Sequence, residues 1–69
     1  MKLSRWPVRA RVLVNMTDGR AFDAVLYTKR GPLLELADAR LLAPGAEPVQ
    51  VDGRVLIERP NVSFIQVRP

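Results

Sequence analysis

The chain of 69 residues is predicted to be all-β, with five short, strongly bent antiparallel strands. Apolar residues occupy every second position in several short runs, which is the period of a strand that buries one face. Turn signals containing glycine or proline separate these runs. None of the runs is long enough or well enough capped to form a stable helix. These observations together predict a single small β domain.

The first strand is predicted to begin at Val8, from which apolar residues alternate with other residues as far as Met16. Asp18-Gly19 then supplies a hairpin turn, because glycine adopts a positive φ at little cost. The second strand follows this turn and places alternate apolar side chains on one face, namely Phe22, Ala24 and Leu26.

The third strand begins at Leu33, after the break that residues 29–32 introduce with a glycine and a proline. Residues 39–42 fit either a continuation of this strand or a short helical turn, and we favour the strand because the run is too short for a stable helix. Residues 43–48 form a loop whose two prolines cannot donate to a sheet ladder. Residues 49–51 can extend a strand into this loop.

The last two strands are predicted over residues 54–58 and 62–67, with Pro60 limiting the corner between them. Asp52-Gly53 offers a second tight turn before the fourth strand. Five short antiparallel strands without a long helix imply a small SH3-like barrel.

The barrel is expected to form one domain over residues 8–67, preceded by an extension over residues 1–7. Phe22 and Phe64 are predicted to lie in its core. A chain of this length buries only about 60% of its unfolded surface, so oligomerisation is expected to add stability.

The composition argues against an enzyme. The sequence has no cysteine and no histidine, which removes thiolate zinc sites, the usual general base and the commonest metal ligand. Its seven acidic residues are scattered, and no serine or threonine has an evident base partner. We therefore expect no catalytic residues, no metal and no cofactor.

The charge and hydropathy patterns bear on partners and location. The net charge of +4 favours polyanionic partners such as nucleic acid. No run approaches the roughly 20 apolar residues of a membrane span, and arginines interrupt the N-terminal region where a signal peptide would need an apolar stretch. The sequence therefore predicts a cytoplasmic protein without a membrane partner.

Two segments carry a more specific pattern. In the first, alternating apolar residues lead to an Asp-Gly turn and a bulky apolar residue, through Val12, Val14, Met16, Asp18, Gly19, Phe22 and Leu26. In the second, apolar residues flank a short corner, through Leu56, Ile57, Asn61, Val62, Phe64 and Ile65. In this order the segments resemble the bipartite signature of Sm and Sm-like (LSm, Hfq-like) proteins, in a divergent bacterial, archaeal or phage member. Ala24 stands where the family has a glycine that permits a sharp bend.

The resemblance implies a closed homo-oligomeric ring of five to seven subunits that holds single-stranded RNA. The fourth strand of one subunit would pair with the fifth strand of the next, and the candidate interface residues are Val55, Ile57, Val62, Phe64 and Ile65. The candidate RNA-binding residues are Tyr27, Lys29, Arg30, Arg59 and Asn61. The N-terminal helix of the family would be reduced or absent, because few residues precede Trp6-Pro7.

Two functions follow from this resemblance. One is an RNA chaperone or scaffold that binds single strands with low sequence specificity through its basic loops. The other is a structural or protein-interaction ring without uridine-specific binding, because the loop at residues 29–33 lacks the asparagine and stacking residue of the family and Glu58-Arg59 replaces its Arg-Gly pair. Tyr27 either stacks on a base or packs against a neighbouring strand or subunit.

Overall fold

A computed structural model describes residues 6–68 as an antiparallel sheet of six strands without an α-helix. The all-β prediction is therefore confirmed, with one strand more than expected. The strands are β1 (Arg11–Met16), β2 (Ala21–Arg30), β3 (Leu33–Leu42), β4 (Val49–Val51), β5 (Val55–Glu58) and β6 (Val62–Val67), and the 3-10 turn η1 (Arg59–Asn61) joins the last two.

The strands follow the order β4-β3-β2-β1-β6, and β5 also pairs with β3. One edge of β3 pairs first with β5, at residues 33–36, and then with β4, at residues 39–41. At the other end of the sheet β6 pairs with β1. No ladder joins β5 to β6 within residues 6–68, so each of these two strands keeps one edge free in the described chain.

Two bulges bend the long β2–β3 hairpin. Ala24 lies opposite two residues of β3, Asp38 and Ala39, and Asp38 adopts a φ of +49°. Aspartate tolerates this left-handed conformation better than most residues. The second bulge adds Tyr27 on β2. Since a bulge increases the local twist and bends its strand, the hairpin curls around the core.

The core lies inside this curled sheet and consists of nine buried side chains, Val12, Val14, Phe22, Ala24, Leu26, Leu34, Leu36, Ala39 and Ile57. Phe22 therefore occupies the core as predicted. The corresponding prediction for Phe64 is wrong, because its side chain is 56% exposed. Alternation along β6 explains this exposure, because Ile65 pairs with buried Val14 and faces the core, whereas Phe64 pairs with Asn15 on the outer face.

Two predicted strand assignments change and one is confirmed. The first strand begins at Arg11 instead of Val8, because Arg9 adopts a φ of +69° and turns the chain. Residues 49–51 form a separate strand instead of extending another, since Gly53 turns the chain at a φ of +75°. The strand interpretation of residues 39–42 is confirmed.

The predicted extension and reduced helix fall largely on residues 1–5, which lie outside the described residues. No helix within residues 6–68 has the length and apolar character needed to cross a membrane.

Candidate functional site

The N-terminal segment lies beside the end of β2. The Arg9 N–H donates to the Leu26 carbonyl, and the Leu26 N–H donates to the Ala10 carbonyl at 3.0 Å. These bonds continue the antiparallel pairing of β1 and β2 towards the N-terminus. As a result, Trp6 and Arg9 lie against side chains from the last residues of β2.

Trp6 contacts two cations. The Lys29 Nζ and the Arg59 Cζ each lie 5.1 Å from the centroid of the indole ring, within the range of cation–π attraction. Arg59 reaches this position because its N–H donates to the Pro32 carbonyl at 2.7 Å, which joins the β5–β6 corner to the β2–β3 turn. Two of the predicted RNA-binding residues are thus brought together around an aromatic ring.

Tyr27 also contacts two cations. The Cζ of Arg54 lies 3.7 Å from the centroid of the phenol ring, and the Cζ of Arg9 lies 4.1 Å from it. Both distances lie within the range of cation–π attraction. Arg54 is also fixed from the side, because its Nη1 donates to Glu35 Oε2 at 2.8 Å. Tyr27 is therefore enclosed by positive charge.

The charges around Tyr27 affect its ionisation. Hydrogen bonding from Arg54 is the largest cause that lowers the pKa of the phenol, followed by the charges of Arg9 and Arg54. Contact with Tyr27 likewise raises the pKa of Arg54. Both shifts follow from stabilisation of the charged forms by a nearby opposite charge.

We call the six residues of these two clusters the cation–aromatic strip, which comprises Trp6, Arg9, Tyr27, Lys29, Arg54 and Arg59. Within residues 6–68, Arg54 is the only one of its four cations that forms an ion pair with a carboxylate. A guanidinium stacked on an aromatic ring keeps its N–H groups free in its own plane, and those groups match the oxygens of a phosphate. The strip therefore presents both hydrogen-bond donors for anions and aromatic surface.

The other two predicted RNA-binding residues lie elsewhere. The Arg30 side chain is 82% exposed, and its Nη2 lies 3.8 Å from Glu35 Oε1. Asn61 lies beside the β1–β2 turn, where its carbonyl accepts a hydrogen bond from the Thr17 N–H at 2.9 Å. Arg30 thus shares Glu35 with Arg54 of the strip, whereas the structure separates Asn61 from the contacts that form the strip.

The predicted interface residues differ in exposure. Ile57 is buried in the core, so its side chain is not available to a neighbouring subunit. At this position β5 could contact that subunit only through its backbone edge. Phe64 is exposed, and the other three, Val55, Val62 and Ile65, are half-buried and pack against the core. The most exposed large apolar side chain of β5 is Leu56, at 63%, and sequence reasoning did not select it. Its position next to buried Ile57 in an alternating strand is the signal that identifies it.

Sequence reasoning also missed Arg54, and it left Trp6 and Arg9 between a second basic face and a solvated, charged edge strand. The turn at Arg9 and the bulge at Tyr27 bring these side chains together, and neither feature has a distinct sequence signal. Residues 6–68 contain no group of three or more His, Cys, Asp or Glu side chains placed to hold a metal ion. A scan against protein-family models finds no match to this chain, and a search of the curated proteins also finds none.

Proposed function

We propose that this protein is an Sm-like ring subunit that binds single-stranded RNA with low sequence specificity, as an RNA chaperone or scaffold. The observation that carries the proposal is the cluster of Lys29 and Arg59 around Trp6. Trp6 is half-buried, and positive charge beside a partly accessible aromatic ring is the combination that binds single strands with little regard to sequence.

The fold supports the Sm-like part of the proposal. The strongly curved sheet has a corner at η1 between its last two strands, and this corner contacts the β2–β3 turn through the bond from Arg59 to Pro32. In an Sm-like, SH3-like barrel, the same two loops carry the RNA contacts that the resemblance implies. Arg59 lies in the first of these loops, and Lys29 lies at the end of β2 just before the second.

The free edges support the ring. One edge of β5 and one edge of β6 are unpaired in residues 6–68, and unpaired edges favour association with another strand. Leu56 on β5 and Phe64 on β6 are both more than half exposed. Pairing β5 of one subunit with β6 of the next would cover apolar surface and satisfy both edges, and repetition of this heterologous contact closes a ring.

The chemistry supports low specificity. Phosphate contacts carry no sequence information, and stacking accepts every base because each base has a π face. The strip offers no asparagine or glutamine side chain that could read a base edge. Ring symmetry would repeat Lys29 and Arg59 once in each subunit, which increases the attraction for a polyanionic strand.

The test is fluorescence anisotropy of labelled oligo-U and oligo-A over a series of salt concentrations. We expect both to bind at low salt with similar affinity, and log K to fall with log salt by about 0.7 for each phosphate neutralised. The absence of binding to either oligonucleotide at low salt would contradict the RNA function. Tight binding to one oligonucleotide alone would contradict the low specificity.

The ring is tested separately by multi-angle light scattering. We expect an assembly of five to seven subunits, and we expect Leu56→Asp to dissociate it because a charge cannot be buried unpaired in an apolar contact. Val49→Asp is the matched control, since Val49 is 56% exposed and lies on β4, outside the proposed contact. A monomer for the unsubstituted chain would refute the ring.

The second candidate is a structural or protein-interaction ring that has lost uridine-specific RNA binding. It is favoured by a specific observation, the exposed Leu33 and Leu56 in one groove, because exposed apolar surface marks protein contacts. A ring in light scattering together with no anisotropy change would favour this function over RNA binding.

A further inference from the structure

We propose that Arg9, Tyr27 and Arg54 form a phosphate clamp, in which the tyrosine ring positions two guanidiniums that bind the backbone of a single-stranded nucleic acid. The proposal rests on the proposed RNA function and assigns Tyr27 a role different from base stacking.

The first argument is the occupancy of the tyrosine ring. Guanidiniums of Arg9 and Arg54 lie 4.1 and 3.7 Å from its centroid, so a base that stacked on the ring would have to compete with two cations. What the cluster presents to a ligand is therefore the N–H edges of two guanidiniums.

The second argument is that both guanidiniums are already positioned. Arg54 donates to Glu35 at 2.8 Å, which fixes the side chain on its other flank. Arg9 is held through its backbone, whose N–H bonds the Leu26 carbonyl while φ is +69°. A non-glycine residue in this conformation is uncommon, and such residues cluster at functional sites. Less side-chain freedom is then lost when an anion binds.

The cluster around Tyr27 carries an excess of positive charge. Within residues 6–68, Arg9 forms no ion pair, whereas Glu35 accepts from Arg54 at 2.8 Å and also lies 3.8 Å from Arg30. One carboxylate therefore faces two arginines, while Arg9 adds a third positive charge at Tyr27, and the local excess of positive charge attracts an anion. Planar guanidiniums favour phosphate because two N–H groups match two of its oxygens.

The clamp lies near the other residues of the strip in the chain but is not continuous with them on one face of β2. Lys29 pairs with buried Leu34, whereas Tyr27 is the extra residue of the bulge and its partner Arg54 bonds outward-facing Glu35. A strand bound at Trp6, Lys29 and Arg59 would therefore reach the clamp only by passing around the end of β2.

The experiment repeats the anisotropy salt series with three variants and two controls. Arg9→Gln removes one guanidinium, and Tyr27→Leu removes the ring while leaving the net charge unchanged. Arg9→Lys keeps the charge but loses the planar fork. Tyr27→Phe retains the ring, and Arg40→Gln removes an exposed arginine outside the strip that forms no ion pair in the described chain.

We expect Arg9→Gln and Tyr27→Leu to weaken binding about tenfold at low salt, and Arg9→Gln to reduce the salt slope by about 0.7 for each lost phosphate contact. Arg9→Lys should bind more weakly than the unsubstituted chain, while Tyr27→Phe and Arg40→Gln should bind almost as well. Circular dichroism establishes whether each variant is folded. If Tyr27→Leu does not fold, the result for Arg9→Gln decides the test.

Two outcomes overturn the clamp in distinguishable ways. If the unsubstituted protein binds RNA while Arg9→Gln and Tyr27→Leu keep its affinity and slope, the clamp is wrong and the proposed function stands. If the unsubstituted protein binds neither oligonucleotide at low salt, the proposed function fails and the clamp fails with it.

Discussion

Arginine has different partners in two regions of this molecule. In the cation–aromatic strip, arginines stack on Trp6 and Tyr27. In what we call the carboxylate-paired region, Arg11 bonds Asp38 at 2.6 Å and lies 3.4 Å from Asp23, and Arg68 lies 3.6 Å from Asp23. Two positive and two negative charges meet in this second region, so they cancel.

The difference shows why net charge alone is a poor guide to a binding surface. A carboxylate occupies the N–H groups of a guanidinium, whereas an aromatic ring occupies its face and leaves those groups free. Bonding to Asp38 is also the largest cause that raises the pKa of Arg11, which keeps that pair charged. The positive charge of the strip is therefore more available to a polyanion than that of the carboxylate-paired region, although both contribute to the net charge of +4.

The largest expected effect compares double substitutions in the two regions. Lys29→Gln with Arg59→Gln should weaken binding of single-stranded RNA about hundredfold at low salt, because two charged contacts are lost. Arg11→Gln with Arg68→Gln makes the same change in net charge and should weaken binding less than about threefold. Anisotropy measures both, and equal losses would show that binding follows total charge instead of the strip.

The second effect concerns Trp6. Trp6→Ala should weaken RNA binding about tenfold, since base stacking on an aromatic side chain contributes about 1–3 kcal/mol and the indole also positions Lys29 and Arg59. Trp6→Phe is the control that keeps an aromatic ring. Trp6 is the only tryptophan, so its native fluorescence reports the contact directly, and an unchanged spectrum with saturating RNA would exclude it.

These two regions also show how far the sequence predicts the site. Alternating apolar residues and the Asp18-Gly19 turn predict the strands, because the period of two has to match a sheet with one buried face. Lys29 and Arg59 could be selected because they lie in predicted loops. Arg54 could not, since its contact with Tyr27 depends on a bulge that adds one residue to β2 and so redirects the side chain.

Arg9 and Arg11 are only two residues apart, yet the backbone gives them different partners. Both alternate with apolar residues in the run that begins at Val8, so the sequence pattern does not distinguish them. The turn at Arg9 directs it to Tyr27, while Arg11 remains on β1 opposite β2 and reaches Asp23. One backbone dihedral angle separates an aromatic-paired arginine from a carboxylate-paired one.

The third effect tests the carboxylate that lies beside the strip. Glu35→Gln should strengthen RNA binding about threefold at low salt, because it removes the negative charge bonded to Arg54 and preserves the shape of the side chain. Asp38→Asn makes the same charge change in the carboxylate-paired region and should leave the affinity almost unchanged. Anisotropy compares the two, and weaker binding by Glu35→Gln would show that fixing Arg54 matters more than the added charge.

The smallest effect is on stability and depends on pH. Tyr27 is the only tyrosine, so phenolate absorbance follows its titration, and we expect a midpoint below the ordinary value of 10.0. Since folding lowers this pKa, Tyr27 adds stability that grows as pH rises through the folded pKa and is complete above the unfolded one. Thermal unfolding over that alkaline range should show this gain in stability for the unsubstituted protein and not for variants that lack the guanidiniums of Arg9 and Arg54.

The same titration separates the two arginines that enclose the ring. Arg54→Gln should return the pKa of Tyr27 towards 10.0 by more than Arg9→Gln does, because hydrogen bonding from Arg54 is the largest cause of the shift. Arg11→Gln, from the carboxylate-paired region, should leave it unchanged. If neither Arg54→Gln nor Arg9→Gln moved the midpoint, the arginines would not enclose Tyr27 in solution. The contrast between the two regions would then lose its physical basis.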